Sequence, residues 1–331
     1  MTLADQAPFV PDDLDARLGP AASRYFATGY RRIGHRVEHL AAVDDGPAPA
    51  TGSARVHYPS DWSAKNGVAR APHLSTLDAL VLTYGVVEGY LRVLGLDDDQ
   101  VARAWFERVS VRAGARPQTD LGDVRLELRA APLPSDLPPA DGSRSALECR
   151  VGQLVVVVVV RHEAPAGTGT GWDEATRQLA RRSVGGALFR RTGHRTRITE
   201  LDLTEQQVRS EHWLDPVAER PDGGLEAAYW PSATLVDALV LTGQLGQVLL
   251  YAAAGIDRDQ ADTLWMRRMT FEVDGPVRST GGWHGSQVRI VGHRTFAHDG
   301  RRLHDVQAHC PGLAGVRATA WLAYYDDAGA V

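Results

Sequence analysis

Two segments of this chain occur twice. Arg31-Arg32-Ile33-Gly34-His35-Arg36 returns as Arg190-Arg191-Thr192-Gly193-His194-Arg195, and Asp78-Ala79-Leu80-Val81-Leu82-Thr83 returns unchanged as Asp237 to Thr242. Both pairs are offset by 159 residues. Further on, Asp99-Gln100 matches Asp259-Gln260, Trp105 matches Trp265 and Arg108 matches Arg268, at an offset of 160. Matches in constant order at near-constant spacing mean that one unit of roughly 140–160 residues is duplicated, and a period that long is a domain rather than a solenoid repeat.

Each unit has the same layout. Extended stretches come first: Gly34 to Ala42 and Gly52 to Tyr58, then Thr196 to Leu203 and Leu225 to Trp230 in the second copy. One helix follows, about Thr76 to Leu94 and Leu235 to Ala254, apolar nearly all round and therefore expected to be buried. Gly95 and Gly255 suit its C-terminal stop. Four strands complete the first unit: Trp105 to Arg112, Val124 to Ala131, Ala146 to Cys149 and Leu154 to Arg161. The second unit offers Met266 to Val273, Gln287 to Phe296, Arg302 to His309 and Val316 to Tyr325. A long buried helix followed by antiparallel strands is the order of a hotdog domain. The expectation is therefore an α+β tandem hotdog, each sheet wrapped around one helix, with another duplicated α+β sandwich as the alternative. The expected divisions are an N-terminal extension 1–22, a first repeat 23–163, a linker 164–182 and a second repeat 183–331.

Composition narrows the function. The chain of 331 residues carries 36 Lys and Arg against 41 Asp and Glu, a formal charge of −5, which disfavours nucleic acid as a partner. The longest apolar run, Leu154 to Val160, is far shorter than the roughly 20 residues of a membrane helix, so no membrane partner is expected. Met1 to Arg17 lacks the pattern of a signal peptide, and the two cysteines, Cys149 and Cys310, make no disulfide framework. A cytoplasmic location is the expectation. The histidines His284, His293, His298, His304 and His309 alternate along strands as solvent-facing residues would and form no metal motif, and no dinucleotide or Walker loop occurs; no metal or other cofactor is expected. Gly167 to Gly171 reads as a flexible linker.

Chemistry concentrates around the two helices. Ser75-Thr76-Leu77-Asp78 and Thr234-Leu235-Val236-Asp237 both fit a capping box, which gives Asp78 and Asp237 a structural reading beside that of a general acid or base. Asp78 and Glu88 lie about 80° apart on the helical wheel, and Asp237, Gln244 and Gln247 share the corresponding arc. These polar lines either bond to the facing strands or border a cavity at the seam between the copies. Glu88 aligns with Gln247, so one ionisable group remains, suited to proton transfer when half-buried. Before the first helix, the stretch from Pro59 to His73 reads as an insertion absent from the second copy. It holds Trp62, Arg70, His73 and Lys65, the only lysine. Cations ahead of a helix N-terminus suit an anion such as a sugar phosphate, although a solvated loop is the plainer reading. The repeated Arg-Arg-x-Gly-His-Arg element reads as a structural turn with anion binding as its alternative.

Tyr25-Phe26-Ala27-Thr28-Gly29-Tyr30-Arg31-Arg32, Val56-His57-Tyr58-Pro59-Ser60-Asp61-Trp62-Ser63 and Pro72-His73-Leu74-Ser75-Thr76-Leu77-Asp78-Ala79 together resemble the avirulence protein D family, the syringolide-forming proteins of pseudomonads. The tandem layout is also similar to the A-factor synthase family. The resemblance implies transfer of a β-ketoacyl group from an acyl-CoA or acyl carrier protein thioester to a small ketose or ketose phosphate, then ring closure to a butenolide-type product. On that reading Glu88, His73 and Asp78 are the catalytic candidates, and Glu88→Gln should abolish turnover. Trp62, Lys65, Arg70, Ser75, Asp237, Gln244 and Gln247 are the substrate-binding candidates. The N–H groups from Ser75 to Asp78 are candidate oxyanion donors. A hotdog dehydratase or thioesterase, suggested by His73 and Asp78, and a non-catalytic binder of an acyl or butenolide signal are the alternatives. The duplicated unit satisfies its own pairing, so the chain is expected as a monomer or homodimer.

Overall fold

The computed structural model describes residues 13–44, 48–65, 67–139, 141–181, 184–258, 264–298 and 300–326. The first repeat runs α1 (Asp13–Leu18), β1 (Gly34–Ala42), β2 (Ala50–His57), the short pair β3 (Ala64–Lys65) and β4 (Val68–Ala69), α2 (Thr76–Leu94), α3 (Asp98–Arg103), β5 (Trp105–Arg112), β6 (Val124–Ala130), β7 (Ser143–Val151) and β8 (Leu154–His162). After α4 (Trp172–Ala180) the second follows: β9 (Thr192–Asp202), β10 (Gln207–Pro216), α5 (Leu235–Ala254), β11 (Trp265–Val273), β12 (Gly282–His298), β13 (Arg301–Leu313) and β14 (Val316–Asp326).

Twelve strands form one antiparallel sheet in the order β1-β2-β6-β7-β8-β5-β11-β14-β13-β12-β10-β9. The second half is the first half mirrored, which is the signature of a pseudo-two-fold axis. That axis falls between β5 and β11, where Thr270 pairs with Ser110 and Phe271 with Val109. The sheet wraps around α2 and α5, giving the tandem hotdog expected from the repeat. Its two outer strands also meet again at their starts. Arg31 donates to the carbonyl of Thr192, and Arg190, its counterpart, donates to the carbonyl of Ile33. The Arg-Arg-x-Gly-His-Arg element is thus a reciprocal brace between the copies.

Both helices begin with the anticipated capping box, Ser75 with Asp78 and Thr234 with Asp237. Each box satisfies two donors that would otherwise be orphaned in the core. Gly95 ends α2 at φ 104°, a left-handed conformation that favours glycine. Every residue of α2 from Leu77 to Arg92 is buried. The polar ones among them need partners, and Thr83 finds one in the carbonyl of Ala79 at 2.8 Å. α5 is long and apolar enough to cross a membrane by length and composition, and it lies largely buried in the core.

Three sequence expectations require correction. Leu225–Trp230 is not a strand: Gly223, Gly224 and Glu226 take positive φ, which breaks extended backbone, and Ala227–Tyr229 forms a 3-10 turn. The partner of β9 is instead Gln207–Pro216. It follows that the stretch before α2 is not an insertion, because residues 58–74 and 217–233 are loops of equal length between equivalent elements. Gly167–Gly171 is packed rather than loose. The N–H of Thr170 donates to the carbonyl of Arg92 at 3.2 Å, and a Cβ on Gly169 would lie 1.7 Å from the carbonyl oxygen of Val93. The following residues, within the expected linker, form α4, whose Trp172 and Leu179 are buried beside Gly89 of α2. Asp259-Gln260, Asn66 and the first twelve residues of the expected N-terminal extension lie outside the described residues.

Candidate functional site

A cavity of about 700 Å3 opens where the N-terminus of α2 meets the C-terminal half of α5. Its walls include Trp62, Lys65, Arg70, His73 and Ser75 from the first repeat and Gln244 and Gln247 from the second. Six cations line it: Arg24, Lys65, Arg70, Arg116, Arg258 and Arg267. None of the described lining residues is acidic, in a chain whose net charge is −5. Arg24 pairs with Asp15 and Arg267 with Asp305, carboxylates outside the lining, so the wall itself presents only cationic charge, as an anionic ligand requires. The cations converge on one region. Arg258 donates to the carbonyl of Ala64 at 3.1 Å, beside Lys65. Burial raises the pKa of the Tyr251 phenol, and the charges of Arg258 and Arg70 pull it back.

The first-repeat wall is ordered by aromatic packing. The ring of Trp62 stands edge-on to Tyr25 at 5.1 Å and to Tyr58 at 4.8 Å, while its Nε1 donates to the carbonyl of Arg70 at 2.9 Å. Behind this wall a polar chain runs into the core. The Tyr25 hydroxyl is 2.7 Å from Ser75 Oγ, and Ser75 Oγ donates to Asp78 Oδ2 at 2.7 Å. Asp78 Oδ2 also accepts from Tyr58 Oη, and Asp78 Oδ1 lies 2.7 Å from His35 Nε2. Burial pushes the Asp78 carboxyl up, but the bonds from His35, Tyr58 and Ser75 outweigh it and hold the carboxyl below its usual range. Asp78 is a fixed carboxylate one layer behind the cavity wall, not a free acid within it.

The second repeat builds the same unit. Asp237 Oδ1 lies 2.7 Å from His194 Nε2, and Asp237 Oδ2 accepts from the backbone N–H and hydroxyl of Thr234, each at 2.7 Å. The two repeated sequence motifs are therefore halves of one contact: the histidine of Arg-Arg-x-Gly-His-Arg holds the aspartate of the helix cap. Sequence reasoning treated them separately. The signal was present, because both motifs return at the same offset.

Asp237 belongs to the opposite seam and does not line the cavity. Nor does Glu88, which is buried with Oε1 3.2 Å from Arg92 Nη2; Arg92 also pairs with Asp98. The flanking carboxylates keep Arg92 charged despite its burial. The expected role of Glu88 as the base in the cavity does not fit this geometry. The seam at which Glu88 sits is filled. Arg278, only 2% exposed, pairs with Glu226 and donates to the carbonyl of Ala233, while Glu226 Oε1 accepts from the N–H of Phe106 at 3.2 Å. Arg278 stands where the first repeat has Gln118: the N–H of Leu74 bonds to the Gln118 carbonyl, and that of Ala233 to the Arg278 carbonyl, both at 2.8 Å.

Sequence reasoning missed a second feature, an apolar recess of about 80 Å3 between α5 and the sheet of its own repeat. It shares Phe26, Gln247, Leu264 and Met266 with the main cavity and so adjoins it. His309 and Cys310 lie on its walls, so His309 is not simply solvent-facing; its Nδ1 is 3.0 Å from Thr319 Oγ1.

A family model described as Pseudomonas avirulence D protein (AvrD) matches residues 10–305. Among solved structures, the chain is similar to the tesB protein of Mycobacterium avium subspecies paratuberculosis, at 12% identity over 86% of this chain and 95% of that one, with a TM-score of 0.45. It is similar to the 12:0-ACP thioesterase of Umbellularia californica (11% identity, 91% and 99% covered, TM-score 0.39). It is also similar to a conserved hypothetical protein of Mycobacterium tuberculosis with a double hotdog fold (14% identity, 77% and 94% covered, TM-score 0.37). No curated protein sequence matches the chain.

Proposed function

Taking as premise that the chain belongs to the Pseudomonas avirulence D protein family, we propose that it joins a β-ketoacyl group, carried as a thioester, to a small ketose or ketose phosphate. The observation that carries this reading is the cavity, cationic at its walls and adjoining an apolar recess. An acyl-CoA or acyl carrier protein thioester has both characters, a phosphate-bearing arm and an apolar tail. Lys65 and Arg70, with Arg258, hold phosphate, and Trp62 covers the ligand.

The chemistry assigns three roles. A ketose hydroxyl attacks the thioester carbonyl, and His73 on the cavity wall takes its proton. The C–S bond breaks, and the leaving thiolate recovers that proton. The N–H groups of Thr76 and Leu77, at the start of α2 and on the same wall, stabilise the oxyanion. The methylene between the two carbonyls of the new ester then gives up a proton and its carbon adds to the ketose carbonyl, which closes the ring; the resulting alkoxide takes up a proton, and loss of water leaves the ring double bond.

Mass spectrometry of the protein with a β-ketoacyl-CoA, with and without a ketose phosphate, tests the reading. A ketose-dependent product at the mass of the ester, or of the ester less water, is expected. His73→Gln should slow its formation about 100-fold or more while leaving the melting temperature unchanged. Thioester loss that does not need the ketose identifies a hydrolase instead, and an intact thioester with a raised melting temperature identifies a binding protein.

A further inference from the structure

Helix α5 has two glycines in its middle, Gly243 and Gly246, where glycine weakens a helix. Such glycines are ordinarily explained by a neighbour that comes too close for a side chain. Gly243 fits that explanation, since a Cβ there would lie 3.1 Å from the ring of Phe26. Gly246 does not, since no neighbouring atom lies within 4 Å of where its Cβ would be. Instead both residues line the recess. At the equivalent positions α2 has Tyr84 and Val87, both buried, with the Tyr84 ring packed 4.5 Å from Phe106. The space that α2 fills with its own side chains is left open by α5.

An apolar void forfeits packing contacts on its walls and holds water poorly. The walls here include Met269, Val288, Cys310 and Leu322, and the void adjoins a cationic cavity. We infer that the recess receives the aliphatic chain of the acyl group and that Gly246 sets how long a chain it accepts. At roughly 10–15 Å3 for each water-sized group, the recess holds about five to eight methylenes. The inference rests on the acyl-thioester reading for its ligand class, but not on the condensation step.

The test therefore uses ligands that cannot react. Binding of short, medium and long S-alkyl-CoA thioethers to the full chain is measured by calorimetry. Affinity should rise about three- to fourfold per methylene until the recess is full and then level off. Gly246→Leu should move that plateau to chains at least two carbons shorter and weaken the longest binders about tenfold, leaving the shortest unchanged. Gly246→Ala should shift the plateau less, in the same direction, and melt no lower than the parent, since alanine favours the helix; it decides the matter if the leucine variant fails to fold. An unchanged length profile in a folded Gly246 variant overturns the inference, as does a parent profile with no dependence on length. If the thioethers bind as expected and no ester forms with the ketose, the gauge stands and the condensation reading falls.

Discussion

The two seams of this molecule start from the same backbone and end differently. At one, the N-terminus of α2 faces the C-terminal half of α5 across a cavity of about 700 Å3. At the other, the N-terminus of α5 faces the C-terminal half of α2, and the space is taken by Arg278 with Glu226 and by Arg92 with Glu88 and Asp98. The first seam gathers cations around an open volume, with Arg24 and Arg267 paired to Asp15 and Asp305 outside its lining; the second fills its space with ion pairs. The duplication made two potential sites, and side-chain choice kept one open. The Asp–His bond and the capping box occur at both, so they belong to the scaffold; Asp78 differs in also accepting from Tyr58.

The contrast can be broken most severely at Arg278. Arg278→Ala removes one partner of a buried ion pair and leaves Glu226 uncompensated. A loss of about 3–5 kcal/mol in unfolding free energy is expected from urea titration. Thioether binding by the folded fraction should not change, because the open seam does not use Arg278. A second binding event in that variant would mean that Arg278 alone keeps the other seam closed.

The shared scaffold is tested by Asp78→Asn and Asp237→Asn. Each deprives a buried histidine and a helix cap of the carboxylate that holds them. Each should cost about 3 kcal/mol in urea titration, and the two costs should agree within about 1 kcal/mol. A cost confined to Asp78 would give that residue a role beyond the cap.

A further contrast separates the repeats by pH. His212 of β10 is fully buried among Thr196, Ser210 and Ser286, and the equivalent position in the first repeat is Ala54, which pairs with Val37 as His212 pairs with Thr196. Burial, helped by the nearby His194 and His284, lowers its pKa to about 3. The unfolded chain therefore binds a proton at this residue below about pH 6.5 that the folded chain refuses. Stability contributed by the neutral ring is complete above pH 6.5 and is lost as the pH falls toward 3, at about 1.4 kcal/mol per pH unit. His212→Ala, the first repeat's residue, should flatten the stability profile over that window in urea titrations at several pH values.

The helices and most strands were legible because each depends on local pattern: an apolar run between a capping box and a glycine, or alternation between turns. The strand at Gln207–Pro216 was not, because its residues are largely polar and lie against the sheet's own neighbours rather than forming an apolar stripe. Part of the cavity wall was legible too. Trp62, Lys65, Arg70, His73, Ser75, Gln244 and Gln247 stood out by composition or by their place on a helix, and the fold gathers them into one lining. Glu88 stood out for the same reason and belongs elsewhere, since a helical wheel gives the face of a side chain but not what faces it. The recess left no trace, because the absence of side chains at Gly243 and Gly246 makes no pattern along the chain.

The sequence by itself determined the duplication, the two buried helices with their caps, and hence the tandem hotdog, since repeats, periodicity and capping are written in neighbouring residues. Only the tertiary structure decided which seam is open. That depends on whether a side chain such as Arg278 reaches into the seam to meet a carboxylate 52 residues away in the chain, as it does in Glu226, or whether the same space is left open. Charge pairing and cavity volume are properties of groups brought together across the fold, and no local pattern carries them.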